Sequence, residues 1–539
     1  MDYFETRDNY YDSETTFSNT FVRTILDPTA PMYQFYKGLN IFLTGASGFM
    51  GKVFIEKVLR CYPEVGAIYI LMRPKKNKTV QERIEEQFKD ELFDRVKREQ
   101  SDILQRKVHF ISGDLNQPLL GISCSDQELI RTRVHVIVHA AASLRMDELV
   151  KDAFTLNVEA TKQLLELATQ CTQLKAFVHV STLYTHSYRF DFEEKFYPTR
   201  LDYEEIQQLI ELTSSEEIEI LTPILFSREY NNTYAFTKAM GESVVEKYLH
   251  RLPLSMVRPS IVASTWKEPI VGWVNNMYGP GGVTVGAALG VIRTFYAEHD
   301  KKCDLIPVDV AINMIVGVIW KTALDHETKR GKEIVPIEPP VYNLSTSGEH
   351  PITWLEYMVL NREAGLREEY YVSSTLPVWH YAFTLEQYKI VYLLRVWFLH
   401  MIPGMIIDAG LRYMNMEPRL MKIYVKVMKF SKYFYPYVER DWDFSTRNVK
   451  SLLSQIPSQD LLNVDYSMRG FTWQDYMVFY FRGGKLYVMR DTYDNMDKGR
   501  THMRRLKYIH YTLLIILGSL FTFILYKLFC PYSSTMFKY

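Results

Sequence analysis

Residues 40 to 59 constrain the fold more than any other stretch of this chain. Asn40-Ile-Phe-Leu-Thr44 is a short apolar strand candidate, Gly45-Ala-Ser-Gly48-Phe-Met-Gly51 follows it, and a helical pattern runs from Lys52 to Leu59. Strand, glycine turn and helix in this order put the N–H groups of a helix N-terminus where a phosphate can sit. The three glycines act differently. Gly45 permits the tight turn, Gly48 lets the backbone approach an anion without a Cβ in the way, and Gly51 allows close helix–strand packing. The spacing is GxxGxxG, so its meaning depends on what surrounds it.

The surroundings repeat the same unit. Ala67–Met72 is a second buried strand candidate and Val108–Ser112 a third, ending in Gly113-Asp114-Leu115. Val134–Val138 runs into His139-Ala140, and Ala176–Val180 runs into Ser181-Thr182. Amphipathic stretches separate these runs, which predicts an α/β fold with a doubly wound parallel sheet. Ligands of such sheets bind at strand C-termini, where Gly45, Asp114, Ala140 and Thr182 fall. After the second strand the chain carries Arg73-Pro74-Lys75-Lys76, where an NAD-selective site would place Asp or Glu. Arg73 is expected to attract a 2′-phosphate, so NADPH is preferred over NADH. The cluster Lys75-Lys76-Asn77-Lys78 reads equally as a solvated turn or as a contact for CoA phosphates.

In Tyr234-Ala-Phe-Thr-Lys238 the two polar side chains are four residues apart, so a helix stacks them on one face, with Glu242 one turn further on. An ammonium beside a phenol favours the phenolate and lowers the phenol pKa, which suits proton donation to a developing oxyanion near neutral pH. Ser181 and Thr182 offer hydroxyls at the end of the fifth strand. Adjacent strand residues face opposite sides, so only one of the two can serve that centre. The stretch Glu204 to Glu219 reads as a helical insertion bordering the substrate entrance. His139, His179 and His400 lack metal-ligand spacing and are expected as satisfied core histidines, so no metal is called for.

Lys+Arg and Asp+Glu number 63 each, which leaves no overall basic field to gather nucleic acid. The five cysteines, Cys61, Cys124, Cys171, Cys303 and Cys530, are widely spaced without a CxxC pair, as in a reducing compartment. The N-terminal MDYFETRDNYYDSETT lacks the basic start and apolar run of a signal peptide and reads as a flexible arm. From Tyr508 to Tyr526 nineteen residues carry no formal charge if His510 is neutral. As a helix they cover roughly 28 Å, close to the hydrocarbon thickness of a bilayer. Arg500, Arg504, Arg505 and Lys507 precede this segment, which puts the large upstream region on the cytosolic side. The second apolar stretch, Ile390 to Ile407, contains Arg395, His400 and Pro403-Gly404, and is expected as a buried or membrane-surface hairpin.

Together, TGASGFMGK (Thr44 to Lys52), VHVSTLY (Val178 to Tyr184), YAFTKAMGE (Tyr234 to Glu242) and VRPSIV (Val257 to Val262) resemble the extended short-chain dehydrogenase/reductases, and more narrowly the fatty acyl-CoA reductases. The resemblance covers roughly residues 35 to 530, including an aromatic-rich region with His400-Met-Ile-Pro403 and the terminal apolar segment. Ser47 stands where the family more usually carries threonine. The arm over 1–34 stays outside the resemblance, which implies an NADPH-binding Rossmann reductase domain over 35–350, a mainly helical domain over 351–500 and a transmembrane anchor over 508–528. It also implies reduction of a long-chain acyl-CoA through a bound aldehyde to a primary alcohol, at an endoplasmic reticulum or peroxisome membrane. Tyr234 would then be the proton donor, Lys238 its partner and the ribose contact, and Thr182, with Ser181 next in line, the second hydroxyl. Thr44, Gly45, Ser47, Gly48, Phe49 and Gly51 would surround the pyrophosphate. Asp114 and Leu115 would border the adenine, Ala140 the crevice, and Pro259 and Ser260 the nicotinamide. Trp397-Phe398-Leu399 and Tyr433–Tyr437 are candidates to line an apolar tunnel, with ordinary core packing the preferred reading residue by residue. The alternatives are an aldehyde-releasing reductase, a sugar-nucleotide epimerase on the same scaffold, and a non-catalytic membrane-anchored nucleotide-binding scaffold.

Overall fold

Short runs rich in β-branched and aromatic residues pair side by side into one parallel sheet. Its strands are β1 (Asn40–Thr44), β2 (Ala67–Met72), β3 (Val108–Ser112), β4 (Val136–His139), β5 (Ala176–Val180), β6 (Leu254–Pro259) and β7 (Val341–Leu344). They are ordered β7-β6-β5-β4-β1-β2-β3. The computed structural model describes residues 26–73, 80–227, 229–329, 340–366, 375–461, 463–491 and 496–529. β2 and β5 are buried throughout, as befits strands covered on both faces, while the edge strand β3 keeps exposed positions. From β1 the chain winds outward to β2 and β3, then returns to β4 on the other side of β1. The crevice above β1 and β4, where Thr44 pairs with His139, is therefore the point at which strand order reverses and ligands of such sheets bind.

Helix α1 (Phe49–Cys61) leaves the glycine turn with ten buried residues, and α2 (Thr233–Glu246) crosses the sheet with its N-terminus capped by Asn232, whose side chain accepts from the Ala235 N–H. The apolar α3 (Val308–Lys329) packs against α1 and β5. Downstream lie α4 (Lys389–Tyr413), α5 (Leu420–Val438) and α6 (Met496–Phe529). Two small parallel pairings tie this helical region to the sheet region: Asp191–Phe192 with Asp443–Phe444, and Thr294–Tyr296 with Thr384–Glu386. One buried cluster consequently runs from Ala30 to Tyr480.

Two expectations change. The end of the supposed flexible arm is packed: Pro31–Tyr36 is a short helix burying Met32, Tyr33 and Tyr36. Tyr36 donates its hydroxyl to the Val316 carbonyl at 2.8 Å, and the Met32 N–H donates to Asp460 at 3.1 Å. The apolar Met32/Tyr36 spacing gives these residues a face to bury, whereas the first 25 residues lie outside the described ones. The stretch Ile390 to Ile407 is no hairpin. It is continuous helix, because a widened turn at Trp397–Met401, in which the Ile402 N–H reaches back to the Trp397 carbonyl, absorbs the missing N–H of Pro403.

Candidate active site

The glycine turn is as confined as its sequence suggests. Gly45 has φ +77°, and a Cβ on it would stand 2.8 Å from the Ala140 carbonyl carbon, so a side chain here would close the crevice between β1 and β4. A Cβ on Gly51 would lie 2.2 Å from the Gly45 oxygen. The Gly48 N–H donates to the Gly45 carbonyl at 2.9 Å, and Gly48 heads α1 without any side-chain cap. Ser47 and Gly48 are exposed. An uncapped helix N-terminus beneath an exposed glycine loop fits a dinucleotide pyrophosphate. The Thr44 hydroxyl is taken up by His139 Nδ1 at 2.7 Å and by the Ala141 N–H at 3.3 Å, so Thr44 joins β1 to β4 beneath the crevice. The Phe49 ring turns away to stack on Trp273, whose indole N–H donates to Asp90.

At the outer end of the crevice the exposed Arg73 guanidinium stands 3.9 Å from Asp114, and Leu115 packs against the core cluster beneath. An exposed pair of this length is worth little, so a phosphate could readily compete for Arg73. Lys75, Lys76 and Lys78 lie outside the described residues.

At the other end, successive turns of α2 present Tyr234, Lys238 and Glu242. Thr182 lies close enough to the Tyr234 phenol to favour its ionised form, while its own hydroxyl donates to the Pro259 carbonyl at 3.5 Å. Ser181 points the opposite way and donates to Glu242. Strand alternation therefore separates the two hydroxyls as expected, and Thr182 is the one beside Tyr234. Glu242 is held by the Arg258 guanidinium through two bonds of 3.0 and 2.6 Å, with His186 at 3.5 Å. Burial opposes its charge, but Arg258 and His186 outweigh that and hold the carboxyl well below the usual range. Pro259 lies alongside: its carbonyl accepts from the Leu183 N–H at 3.0 Å and faces the Thr182 hydroxyl at 3.5 Å, while Ser260 is buried next to it.

One electrostatic expectation is reversed. The Tyr234 phenol is pushed above its ordinary pKa, chiefly by burial, with Tyr437 and Glu242 adding to the effect and Thr182 opposing it. Lys238 does not counter this, because its ammonium turns to the Val180 carbonyl at 2.8 Å and to His179 at 3.5 Å. Burial lowers Lys238 from 10.5 to about 8, against the pull of Glu242. His139, bonded on both nitrogens to Thr44 and Thr161, is a satisfied core histidine. His400 accepts from the Arg293 N–H at 2.9 Å.

These values carry a pH prediction. With its pKa at about 8 in the folded chain against an ordinary 10.5, Lys238 binds fewer protons folded than unfolded, so it costs stability below pH 8 and the cost disappears as pH rises towards 10.5. Lys238→Met should therefore be more stable than the parent at neutral pH in denaturant titrations, with the difference gone at high pH. An equal difference at both pH values would contradict the shift.

Three features of the site have roles that sequence reading did not assign. Asn157 sits on a widened helical turn, Thr155–Glu159, donating to Thr237 on α2 at 2.9 Å and accepting from the Ser143 N–H at 2.8 Å. The Tyr437 hydroxyl on α5 accepts from Asn232, the cap of α2, at 2.9 Å, so the helical region braces the helix that carries Tyr234. Tyr184 packs edge-on against Tyr437, Trp442 and Phe444 at 5.1, 5.6 and 5.9 Å, making an aromatic wall two residues beyond Thr182. Trp397 and Phe398, read as core or tunnel lining, are exposed instead, because the buried stripe of α4 runs through Tyr392, Val396 and His400.

A doubly wound sheet with a glycine-turn crevice and a Tyr-Lys helix beside a strand-end hydroxyl defines a reductase of the extended short-chain dehydrogenase/reductase class. Family models described as male sterility protein match residues 43–315, the nucleotide-binding part, and residues 399–491. Fatty acyl-CoA reductase wat of Drosophila melanogaster is 35% identical over 93% of this chain and 93% of its own length. Human fatty acyl-CoA reductase 1 is 34% identical over 90% and 92%. The chain belongs to the fatty acyl-CoA reductase family. Among solved structures, the reductase domain of a nonribosomal peptide synthetase from Mycobacterium tuberculosis shares the fold, with a TM-score of 0.55 and 17% identity, covering 89% of this chain and 97% of that one. The terminal reductase domain of the myxalamid pathway does so at 0.53 and 17%, covering 86% and 95%.

Proposed function

We propose that this chain uses NADPH to reduce a long-chain fatty acyl-CoA, through a bound aldehyde, to the primary alcohol with release of CoA. The observation that carries the reading is the proximity of Tyr234 and Thr182 beside the aromatic wall of Tyr184, Tyr437 and Trp442. Gly45, Ser47, Gly48, Phe49 and Gly51 would hold the pyrophosphate, Asp114 and Leu115 the adenine, Arg73 the 2′-phosphate, Lys238 the ribose, and Pro259 with Ser260 the nicotinamide edge. NADPH bound there supplies the hydride for each reduction.

The chain's own groups govern the rest. Tyr234 and Thr182 donate to the thioester oxygen and stabilise the charge that develops on it. A phenol whose pKa is raised stays protonated near neutral pH, so Tyr234 is always in its donor form. The hemithioacetal then expels CoA as the thiol, and the aldehyde oxygen takes the place of the thioester oxygen between the same two hydroxyls. A second reduction there, with a proton from Tyr234, yields the alcohol. The reaction balances as one acyl-CoA, two NADPH and two protons giving one alcohol, one CoA and two NADP+. The apolar wall suits an acyl chain, since each buried CH₂ contributes about 0.8 kcal/mol.

From Tyr508 to Phe529 α6 extends about 33 Å, and beyond its contacts at His510 and Tyr511 its apolar length is exposed among the described residues. It would anchor the protein in the endoplasmic reticulum or peroxisome membrane with the catalytic region in the cytosol. The test is product analysis after incubating the full-length protein with palmitoyl-CoA and NADPH. A fatty alcohol with two NADPH oxidised per CoA supports the proposal. Free aldehyde at one NADPH per CoA would favour the aldehyde-releasing alternative, and turnover of a UDP-sugar instead would sink the reading. Arg73→Ala should lower the preference for NADPH over NADH by about tenfold to a hundredfold, the worth of a charge-assisted phosphate contact, in kcat/KM measured with each nucleotide. An unchanged ratio would remove Arg73 from the site.

A further inference from the structure

The surface of α4 inverts the usual arrangement of a soluble helix. Its buried stripe, Tyr392, Val396, His400, Gly404 and Asp408, recurs every four residues. Two residues out of phase, and so on the opposite side of the helix, lie Ile390, Leu394, Phe398, Ile402 and Ile406, again four apart and all exposed. Phe398 is 65% and Ile406 67% exposed, where a solvated helix would carry polar side chains. Trp397 flanks this stripe at 55% exposure, an aromatic of the kind that favours a membrane–water boundary.

The charge next to this stripe is mostly basic. Residues 389–438, covering α4 and α5, hold eight Lys and Arg against one Asp and one Glu. Lys389, Arg395, Arg419 and Lys429 pair with Glu439, Glu386, Glu417 and Asp147, which leaves Arg412, Lys422, Lys426 and Lys432 without an ion pair among the described residues. Asp408 is itself buried, accepting from the Leu420 and Met421 N–H groups at 3.1 and 2.9 Å. Lys422 and Lys426 follow one turn apart on the exposed side of α5, and Lys432 is exposed further along it.

A short chain of contacts ties this surface to the beginning of the apolar part of α6. The Arg293 N–H donates to His400 of α4, the Arg293 guanidinium lies 4.7 Å from the Trp379 ring centre, and the Trp379 indole N–H donates to His510 of α6 at 3.0 Å. Helix α4 is therefore tied, through its buried stripe, to the start of the apolar part of α6.

We propose that α4 and α5 form a second membrane contact: the apolar stripe of α4 lies flat in the headgroup layer of the bilayer that α6 enters, and the lysines of α5 engage anionic phospholipids. The combination of a large apolar face, flanking lysines and a boundary tryptophan fits a helix lying in the interface plane. A buried stripe containing His400 and Asp408, bonded to Arg293 and to the start of α5, keeps α4 attached to the protein and opposes its crossing the bilayer.

The test uses the full-length protein in vesicles of phosphatidylcholine and phosphatidylserine doped with a diazirine phosphatidylcholine, with cross-linked peptides mapped by mass spectrometry. The proposal expects lipid adducts on the Ile390/Phe398/Ile406 face as well as on α6. The α4 yield should fall severalfold in phosphatidylcholine alone, with the α6 yield unchanged. Adducts confined to α6 would overturn it and leave another protein or a second copy of this chain as the cover of the stripe. Adducts on Tyr392 and Val396 as well would overturn it in favour of a second crossing. A yield on α4 indifferent to phosphatidylserine would overturn the anionic assignment. Phe398→Glu with Ile406→Glu, both at exposed positions, should abolish the α4 adducts without moving the thermal unfolding midpoint. The readout is independent of turnover, so an inactive reductase would leave it intact.

Discussion

Replacing Tyr234 by phenylalanine should lower kcat for acyl-CoA reduction by about 10²- to 10⁴-fold, the usual contribution of a positioned general acid, while NADPH affinity stays within about twofold. The substitution removes one oxygen. It keeps the ring on α2, the Asn232 cap and the glycine crevice, so the fold and the nucleotide cradle have no reason to change. Thr182→Val removes the second donor and should cost about 10²-fold, as loss of one oxyanion donor does. Ser181→Ala should cost far less, because Ser181 faces Glu242 and not Tyr234. Steady-state kinetics with palmitoyl-CoA, together with NADPH titration by fluorescence, separate the three. A Tyr234→Phe protein that retains its turnover would show that some other group protonates the oxygen.

The second large effect falls on stability. Glu242→Ala would leave the Arg258 guanidinium fully buried without its carboxylate, and breaking a buried pair in this way costs about 3–5 kcal/mol. Replacing both partners, Glu242→Leu with Arg258→Met, should recover most of that loss, because an apolar pair of similar volume no longer has a charge to solvate. Denaturant unfolding of the detergent-solubilised chain followed by circular dichroism gives both values. A single substitution costing less than about 1 kcal/mol would mean that the pair is hydrated in solution.

How far the sequence can be read depends on whether a feature is local. The strands before and after Gly45, the glycine turn itself, and the Tyr234/Lys238/Glu242 spacing depend on neighbours a few residues away, and all are legible. So is the separation of Ser181 from Thr182, because strand alternation is a local rule, although choosing between them requires knowing which side α2 packs on. What stays hidden comes from distant chain. Tyr437 meets Asn232 across some two hundred residues, and nothing in Tyr433–Tyr437 distinguishes a brace for α2 from an aromatic filler. The direction of the Tyr234 pKa is hidden for the same reason. Spacing brings Lys238 onto the right face, but the ammonium's direction is set by the Val180 carbonyl, and burial by the helical region determines the sign. The Pro403-Gly404 pair misleads because a widened turn can absorb a proline that would otherwise break a helix.

The proposed chemistry rests on the Tyr234 and Thr182 hydroxyls converging on one reacting carbonyl. The most direct measurement is a structure of the full-length protein with NADP+ and a long-chain aldehyde. The aldehyde oxygen is expected within hydrogen-bond reach of both hydroxyls, with its carbonyl carbon against the nicotinamide ring. A complex in which the aldehyde binds productively elsewhere, out of reach of the Tyr234 and Thr182 hydroxyls, would contradict it.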